Sequence, residues 1–255
     1  MKLAISGKGG VGKTTLAALL SRYLVAKGKE VIAVDADPDA NLAAALGLAD
    51  QPITPISEMK DLIEERTGSK GGYGSYFKIN PEVSDLPDRF SVVDDGLRLM
   101  VMGGVPSGGS GCICPESAML RALVTHLLFH RDQVVVLDME AGIEHLGRAT
   151  ARAVSAMVVV VEPGMRSVQT ALVVKRLASE IGIKDVSAVV NKVRDPNVVP
   201  RIESQLGDVP LAGAIPFSEE MANADLEGRG VFDGSPDQMD LIGGITHRLL
   251  PDLTF

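Results

Sequence analysis

An α/β fold, one mainly parallel sheet with helices on both faces, is what the 255 residues of this chain predict. Three observations lead there. Apolar runs over 134–137 and 158–161 lack polar alternation, as strands buried on both faces do. Stretches at helical spacing separate such runs. The pattern continues to the end without a break in composition, so 1–255 reads as a single domain.

The first strand, over 3–6, leads through a glycine-rich turn into a helix carrying Leu16, Leu19, Leu20, Tyr23 and Leu24. Gly28 stands where that helix would end. A strand over 31–35 completes a βαβ unit. From about 51 to 95, prolines and glycines mark an irregular insertion holding one helix, over 56–65. A strand over 97–102 runs into 103–111, nearly all Gly, Ser and Pro, within a loop of about 103–115 that carries both cysteines. Strands over 134–138, 157–161, 186–191 and 211–215 follow. Leu241, Ile242, Ile245, Leu249 and Leu250 then describe a terminal helix docked on the core.

Charge and composition exclude several classes. Hydrophobic residues at 45% and charged residues at 23% rule out a disordered or fibrous chain. With 25 Lys+Arg against 33 Asp+Glu, the net charge of −8 argues against nucleic acid as a partner, because such affinity comes from clustered cations. No apolar run approaches the roughly 18 residues of a membrane span, and the first strand begins too early for a cleaved leader. The expectation is a cytoplasmic protein with no membrane partner.

Gly7-Lys8-Gly9-Gly10-Val11-Gly12-Lys13-Thr14 matches the P-loop pattern after a strand and before a helix. Glycines let successive N–H groups converge on phosphate oxygens, and the helix N-terminus adds a favourable dipole. Gly9, Gly10, Val11, Gly12, Lys13, Thr14 and Thr15 are the expected nucleotide-binding residues. Lys13 would reach the β- and γ-phosphates, and the Thr14 hydroxyl would stand on Mg²⁺. Base choice follows from the strand end Asn191-Lys192-Val193-Arg194, where the aspartate of a guanine-reading NKxD is replaced by arginine and Asp195 comes one residue late. ATP is therefore the expected nucleotide.

KGGVGKTT, with its extra Lys8, resembles the deviant Walker A loop of the nitrogenase iron protein, the septum-site and partition ATPases, and the arsenite and tail-anchor ATPases. That resemblance implies a nucleotide-sandwich homodimer in which Lys8 reaches the partner's phosphates. It also implies that Asp37, in VDADPDAN, orients the attacking water. Asp35, which the resemblance places at Mg²⁺, and Asp39, a switch residue, are second choices for the water; Asn41 replaces a further aspartate of the iron protein. Asp138 resembles the Walker B aspartate that holds Mg²⁺ through water, and Ala141-Gly142 the second switch, with Gly142 meeting the γ-phosphate. Asn191 would take the adenine edge, with Pro216 of Ile215-Pro216-Phe217 beside the ring.

Cys112 and Cys114 are the chain's two cysteines. A disulfide at this spacing would be strained and would staple almost nothing. Thiolates suit nickel, zinc, copper(I) or iron–sulfur clusters, and two symmetry-related CxC pairs would supply the four ligands of a closed tetrahedral site. A bridging metal and a lysine acting in trans thus call for the same homodimer. The iron protein carries one of its cysteines just after Walker B, a stretch without cysteine here. KGGVGKTT, VDADPDANL, SGCICPES, VLDMEAGIEHL, VVNKV and AIPF in this order instead resemble the CooC-type ATPases that mature nickel carbon monoxide dehydrogenase. The resemblance implies slow ATP hydrolysis coupled to Ni²⁺ or Zn²⁺ at the cysteines, with carbon monoxide dehydrogenase or a related nickel enzyme as client.

His126 and His130 lie four apart on the next helix, but Leu127, Leu128 and Phe129 around them favour core or surface histidines over extra ligands. His145 falls in the second switch. Met100 and Met102 read as sheet packing. The rival function is a partitioning-type ATPase switch acting on membrane or DNA. It would want a basic terminal helix, and only His247 and Arg248 are basic there. An oxyanion-pump subunit would carry two ATPase halves, and a regulator without appreciable turnover is the third alternative.

Overall fold

A computed structural model describes residues 1–69, 76–103, 114–140 and 148–253. Among them, eight strands form one sheet: β1 (Lys2–Gly7), β2 (Val31–Ala36), β3 (Val92–Asp94), β4 (Leu97–Val101), β5 (Val134–Met139), β6 (Ala156–Val161), β7 (Val186–Val193) and β8 (Leu211–Pro216). Their order is β3-β4-β2-β5-β1-β6-β7-β8. Every neighbouring pair is parallel except β3–β4. This is the expected α/β fold.

The helices are α1 (Lys13–Ala26), α2 (Leu42–Ala45), α3 (Lys60–Thr67), α4 (Leu86–Phe90), α5 (Pro115–His130), α6 (Arg148–Ala151), α7 (Met165–Ile181), α8 (Val199–Gln205), α9 (Glu219–Leu226) and α10 (Pro236–Leu249). None among the described residues is long and apolar enough to cross a membrane.

Strand side chains alternate between two buried layers, so no polar face is needed. Leu3 and Ile5 of β1, with Val31 and Ala33 of β2, pack with Leu16, Leu20 and Leu24 of α1 and Ile242, Ile245 and Leu249 of α10. Ala4, Ile32 and Val34 face the opposite layer, against Leu123 and Leu127 of α5 and Val168 and Val174 of α7. The terminal helix is docked on the core as its spacing predicts, and Met100 and Met102 pack in the sheet. Gly28 follows the capping residue of α1 with φ 76°, ending that helix where expected.

Three boundaries differ from the sequence reading, and the insertion over 51–95, read as holding one helix, also holds α4 (Leu86–Phe90). The helix over 56–65 is a 3-10 turn, Ile56–Glu58, followed by α3, because Met59 adopts a non-helical ψ of 70°. Strand β7 continues two residues past Asn191. The stretch ending at 95 holds an additional strand: β3 pairs with β4 across Asp95-Gly96, both at positive φ (38° and 84°). Asp-Gly is the residue pair that a tight two-residue hairpin favours.

Candidate functional site

The carboxyl ends of the strands flanking β1 converge on the loop between β1 and α1, the crevice where open parallel sheets bind ligands. Gly7, Gly10 and Gly12 have φ of 147°, 79° and 92°, values that other residues adopt only with strain. A Cβ on Gly7 would stand 2.6 Å from the Val160 carbonyl oxygen, and one on Gly12 would collide with the Asn191 amide. Gly12 caps α1 without a side-chain bond, so the first N–H groups of a 14-residue helix face the loop. Lys8, Gly9 and Gly10 are exposed at the loop tip; Val11 and Lys13 are buried, and Thr14 and Thr15 are half-buried on the first turn.

Two carboxylates stand beside this turn. Asp35 and Asp138 are register partners across β2 and β5 and are essentially inaccessible to solvent. Asp35 is spent on its own loop: Oδ1 accepts the Asp37 N–H at 3.2 Å and Oδ2 the Leu42 N–H at 2.9 Å. Burial pushes it up to about 6, against those two bonds. Neither oxygen of Asp138 has a hydrogen-bond partner. Burial pushes Asp138 up to about 7; Thr14 and Lys13 stand near enough to offset part of the rise, and the charges of Asp35 and Asp37 reinforce it. A buried, unpaired carboxylate beside a hydroxyl and a lysine fits a hydrated Mg²⁺, which would satisfy the oxygens and reverse their electrostatics. Asp37 is half-buried, and its Oδ1 accepts the N–H of exposed Asp39 at 3.1 Å.

The end of β7 buckles the loop from the other side. Asn191 Nδ2 donates to the Val11 carbonyl at 2.9 Å, and its Oδ1 accepts the Lys192 N–H at 2.9 Å. Lys192 adopts φ 58°, a left-handed value unusual for lysine. Its Nζ donates to the Gly10 carbonyl at 2.6 Å and pairs with Glu162 Oε1 at 2.8 Å. Sequence reading missed Lys192 and Glu162, because a lysine at a strand end reads as solvated; only the loop folding over it makes the contact. Lys192→Met is expected to raise the KM for ATP about two- to fivefold, since both of its contacts are solvent-exposed and such bonds contribute up to about 1 kcal/mol. Steady-state hydrolysis checks this; an unchanged KM would show that the strap does not set the loop.

Arg194 lies 3.7 Å above the Phe217 ring, and Asp195 accepts Asn197 N–H at 3.0 Å as a cap. Neither residue is placed as a guanine-reading aspartate would be. The segment 215–217 borders a cavity of about 500 Å³, between Val193, Pro196 and Val199, and two more of about 410 Å³ each. Of these two, one is lined by Glu162, Lys192, Arg194 and Phe217, the other by Pro216, Met221, Val231 and Gln238. All three are large enough for a small molecule.

Of the cysteine pair, Cys114 is placed and Cys112 lies outside the described residues, as do Gly142 and His145. Cys114 caps α5: its Sγ accepts the Ser117 N–H at 3.4 Å and contacts Ser117 Oγ at 3.3 Å. The sulfur is half-buried and unbridged. Among the described residues, no three His, Cys, Asp or Glu side chains gather as a metal site.

Comparison with known proteins identifies the assembly. Residues 2–231 match the CobQ/CobB/MinD/ParA nucleotide-binding domain. The chain is 44% identical over 253 residues to the carbon monoxide dehydrogenase accessory protein CooC of Rhodospirillum rubrum, covering 98% of this chain and 96% of that one. It is 46% identical over 235 residues to an uncharacterized ATP-binding protein of Methanocaldococcus jannaschii, covering 91% of each. Among solved structures, a chain of the Aquifex aeolicus MinC:MinD cell division protein complex superposes with a TM-score of 0.70 at 21% identity, over 100% of this chain and 97% of that one. The chain belongs to the CobQ/CobB/MinD/ParA family of nucleotide-binding domains, within its CooC-type group, and is a P-loop ATP hydrolase.

Proposed function

We propose that this ATPase is a metallochaperone that assists nickel insertion into carbon monoxide dehydrogenase or a related nickel enzyme. The observation that carries the reading is the full-length likeness to an accessory protein of that enzyme, joined to a CxC pair whose second sulfur caps α5. Two thiolates per subunit make a four-sulfur site only when two copies meet. The metal, Ni²⁺ or Zn²⁺ as cargo, is thereby tied to a homodimer.

Within each subunit, the loop N–H groups and Lys13 bind the β- and γ-phosphates, and Asn191 and Pro216 meet the adenine. Thr14 and, through water, Asp138 would hold Mg²⁺ with Asp35 nearby, and the bound ion would neutralise charge on the phosphate oxygens. Asp37 orients the attacking water, and Lys8 crosses to the partner's phosphates. Hydrolysis releases the 35–42 loop that Asp35 staples, together with Gly142 of the second switch, and so alters the metal site. Metal and nucleotide then influence each other reciprocally.

Metal titration of reduced, metal-free protein with light scattering tests this, run on wild type and Cys112→Ala/Cys114→Ala, with and without ATP. One tightly held Ni²⁺ or Zn²⁺ per dimer, lost in the double variant, is the expected result. Equal dimer-bridging binding by both proteins would leave an ATPase switch with another cargo.

A further inference from the structure

We infer that His126 and His130 form a second, weaker binding site for a borderline divalent cation such as Ni²⁺, one per subunit, at the far end of the helix that Cys114 caps. As an intake point for cargo it rests on the maturation reading above; as a binding site it stands on its own geometry.

The two histidines are four residues apart on α5, a spacing that puts both on one face of a helix. Their ring centroids are 5.4 Å apart with planes inclined by 30°. A tetrahedral ion holding imidazole nitrogens at about 2.0–2.1 Å sets two ligating rings roughly 5 Å apart, centre to centre. The pair therefore stands close to chelating separation.

His126 Nε2 is screened from solvent and has no hydrogen-bond partner. Folded proteins seldom leave such an atom unpaired. His130, one turn on, is exposed and gives the ion its approach. The charges facing His126 are of both signs, Arg131 and His130 acting ahead of Glu82 and Asp88. Arg131 is the nearby positive group, and it is engaged by Asp88 Oδ2 at 2.8 Å and the Ser84 carbonyl at 3.0 Å. With two protein ligands and water completing the shell, the site would hold metal less tightly than four thiolates. Imidazole suits nickel and zinc, so the same ions are candidates for both ends of α5. Twelve residues of helix separate Cys114 from His126, about 18 Å. The sites are therefore distinct, and transfer between them would need release or a moving partner.

The test is NiCl₂ titration by calorimetry on the Cys112→Ala/Cys114→Ala protein, which removes the cysteine site. One Ni²⁺ per subunit is expected. Adding either His126→Gln or His130→Gln should weaken it at least tenfold, because a chelate fails when either arm is cut. Helical content and ATP hydrolysis should not change. No binding to the cysteine variant, or binding that survives both histidine changes, would overturn the inference. Loss with His130→Gln but not with His126→Gln would also overturn it, showing a single surface imidazole. If His126→Gln misfolds, exposed His130 and a His126→Asn variant carry the same comparison. The cysteine site's own loss or survival is read separately, in protein retaining both cysteines.

Discussion

Asp138→Asn is expected to stabilise the metal-free protein while abolishing Mg²⁺-dependent ATP hydrolysis. An unfolded aspartate gives up its proton near 3.8, whereas folded Asp138 holds it to about 7. Between these values the folded state binds more protons, so raising the pH from about 4 to 7 removes stability, and above 7 the loss is complete. Three pH units correspond to about 4 kcal/mol. Asparagine escapes that cost but leaves its own amide unpaired, at about 1–3 kcal/mol, so a net gain of about 2 kcal/mol at pH 8 is the expectation. Asp35, raised to about 6, contributes a slope of the same sign in both proteins, so the difference between them reports Asp138 together with its repulsion of Asp35. Urea unfolding in chelator at pH 5 and pH 8 measures it. Hydrolysis should fall roughly a thousandfold, since a correctly held metal contributes several kcal/mol to such a transition state. A variant less stable than wild type at pH 8 would show that Asp138 is not held as an unpaired carboxylate.

Lys8→Ala is expected to cut kcat by roughly 10³–10⁵, the range for a cation supplied in trans to a transferred phosphoryl group. Its side chain is exposed at the loop tip, so the fold and the KM for ATP should change little. Mixing identifies the trans arrangement. Lys8→Ala and Asp37→Asn proteins should each be nearly inactive alone. In a mixed dimer, the Lys8→Ala subunit keeps its own Asp37 and receives Lys8 from its partner, so one site of two works and an equimolar mixture should recover about a quarter of wild-type activity. Absence of recovery would place the lysine's action within its own subunit, and normal hydrolysis by Lys8→Ala alone would show that Lys8 takes no part in turnover.

Much of this site was legible before the chain was folded. Phosphate binding needs a short run of consecutive residues, so Gly7 to Thr14 declare it locally. The strand carboxylates Asp35 and Asp138 were visible as charges closing apolar runs, but their different states were not. One has both oxygens spent on backbone N–H groups and the other has none, and that depends on how the 35–42 loop closes. The hairpin at Asp95-Gly96 had a local signal, masked by the surrounding prolines and glycines.

By itself the sequence determined the parallel sheet, the phosphate loop, the order of its acidic partners and the CxC spacing that distinguishes this chain from the iron protein. Each is written in periodicity or in neighbours along the chain. Tertiary structure alone decided that Lys192, 182 residues from Gly10, straps the loop tip to Glu162. It also decided that Asn191 supports Val11, that Asp195 caps a turn, and that the His126 nitrogen is left without a partner. These are contacts between segments that no local pattern couples: hydrophobic spacing specifies which face of an element is buried, while hydrogen bonds and burial of charge depend on what the fold brings against it.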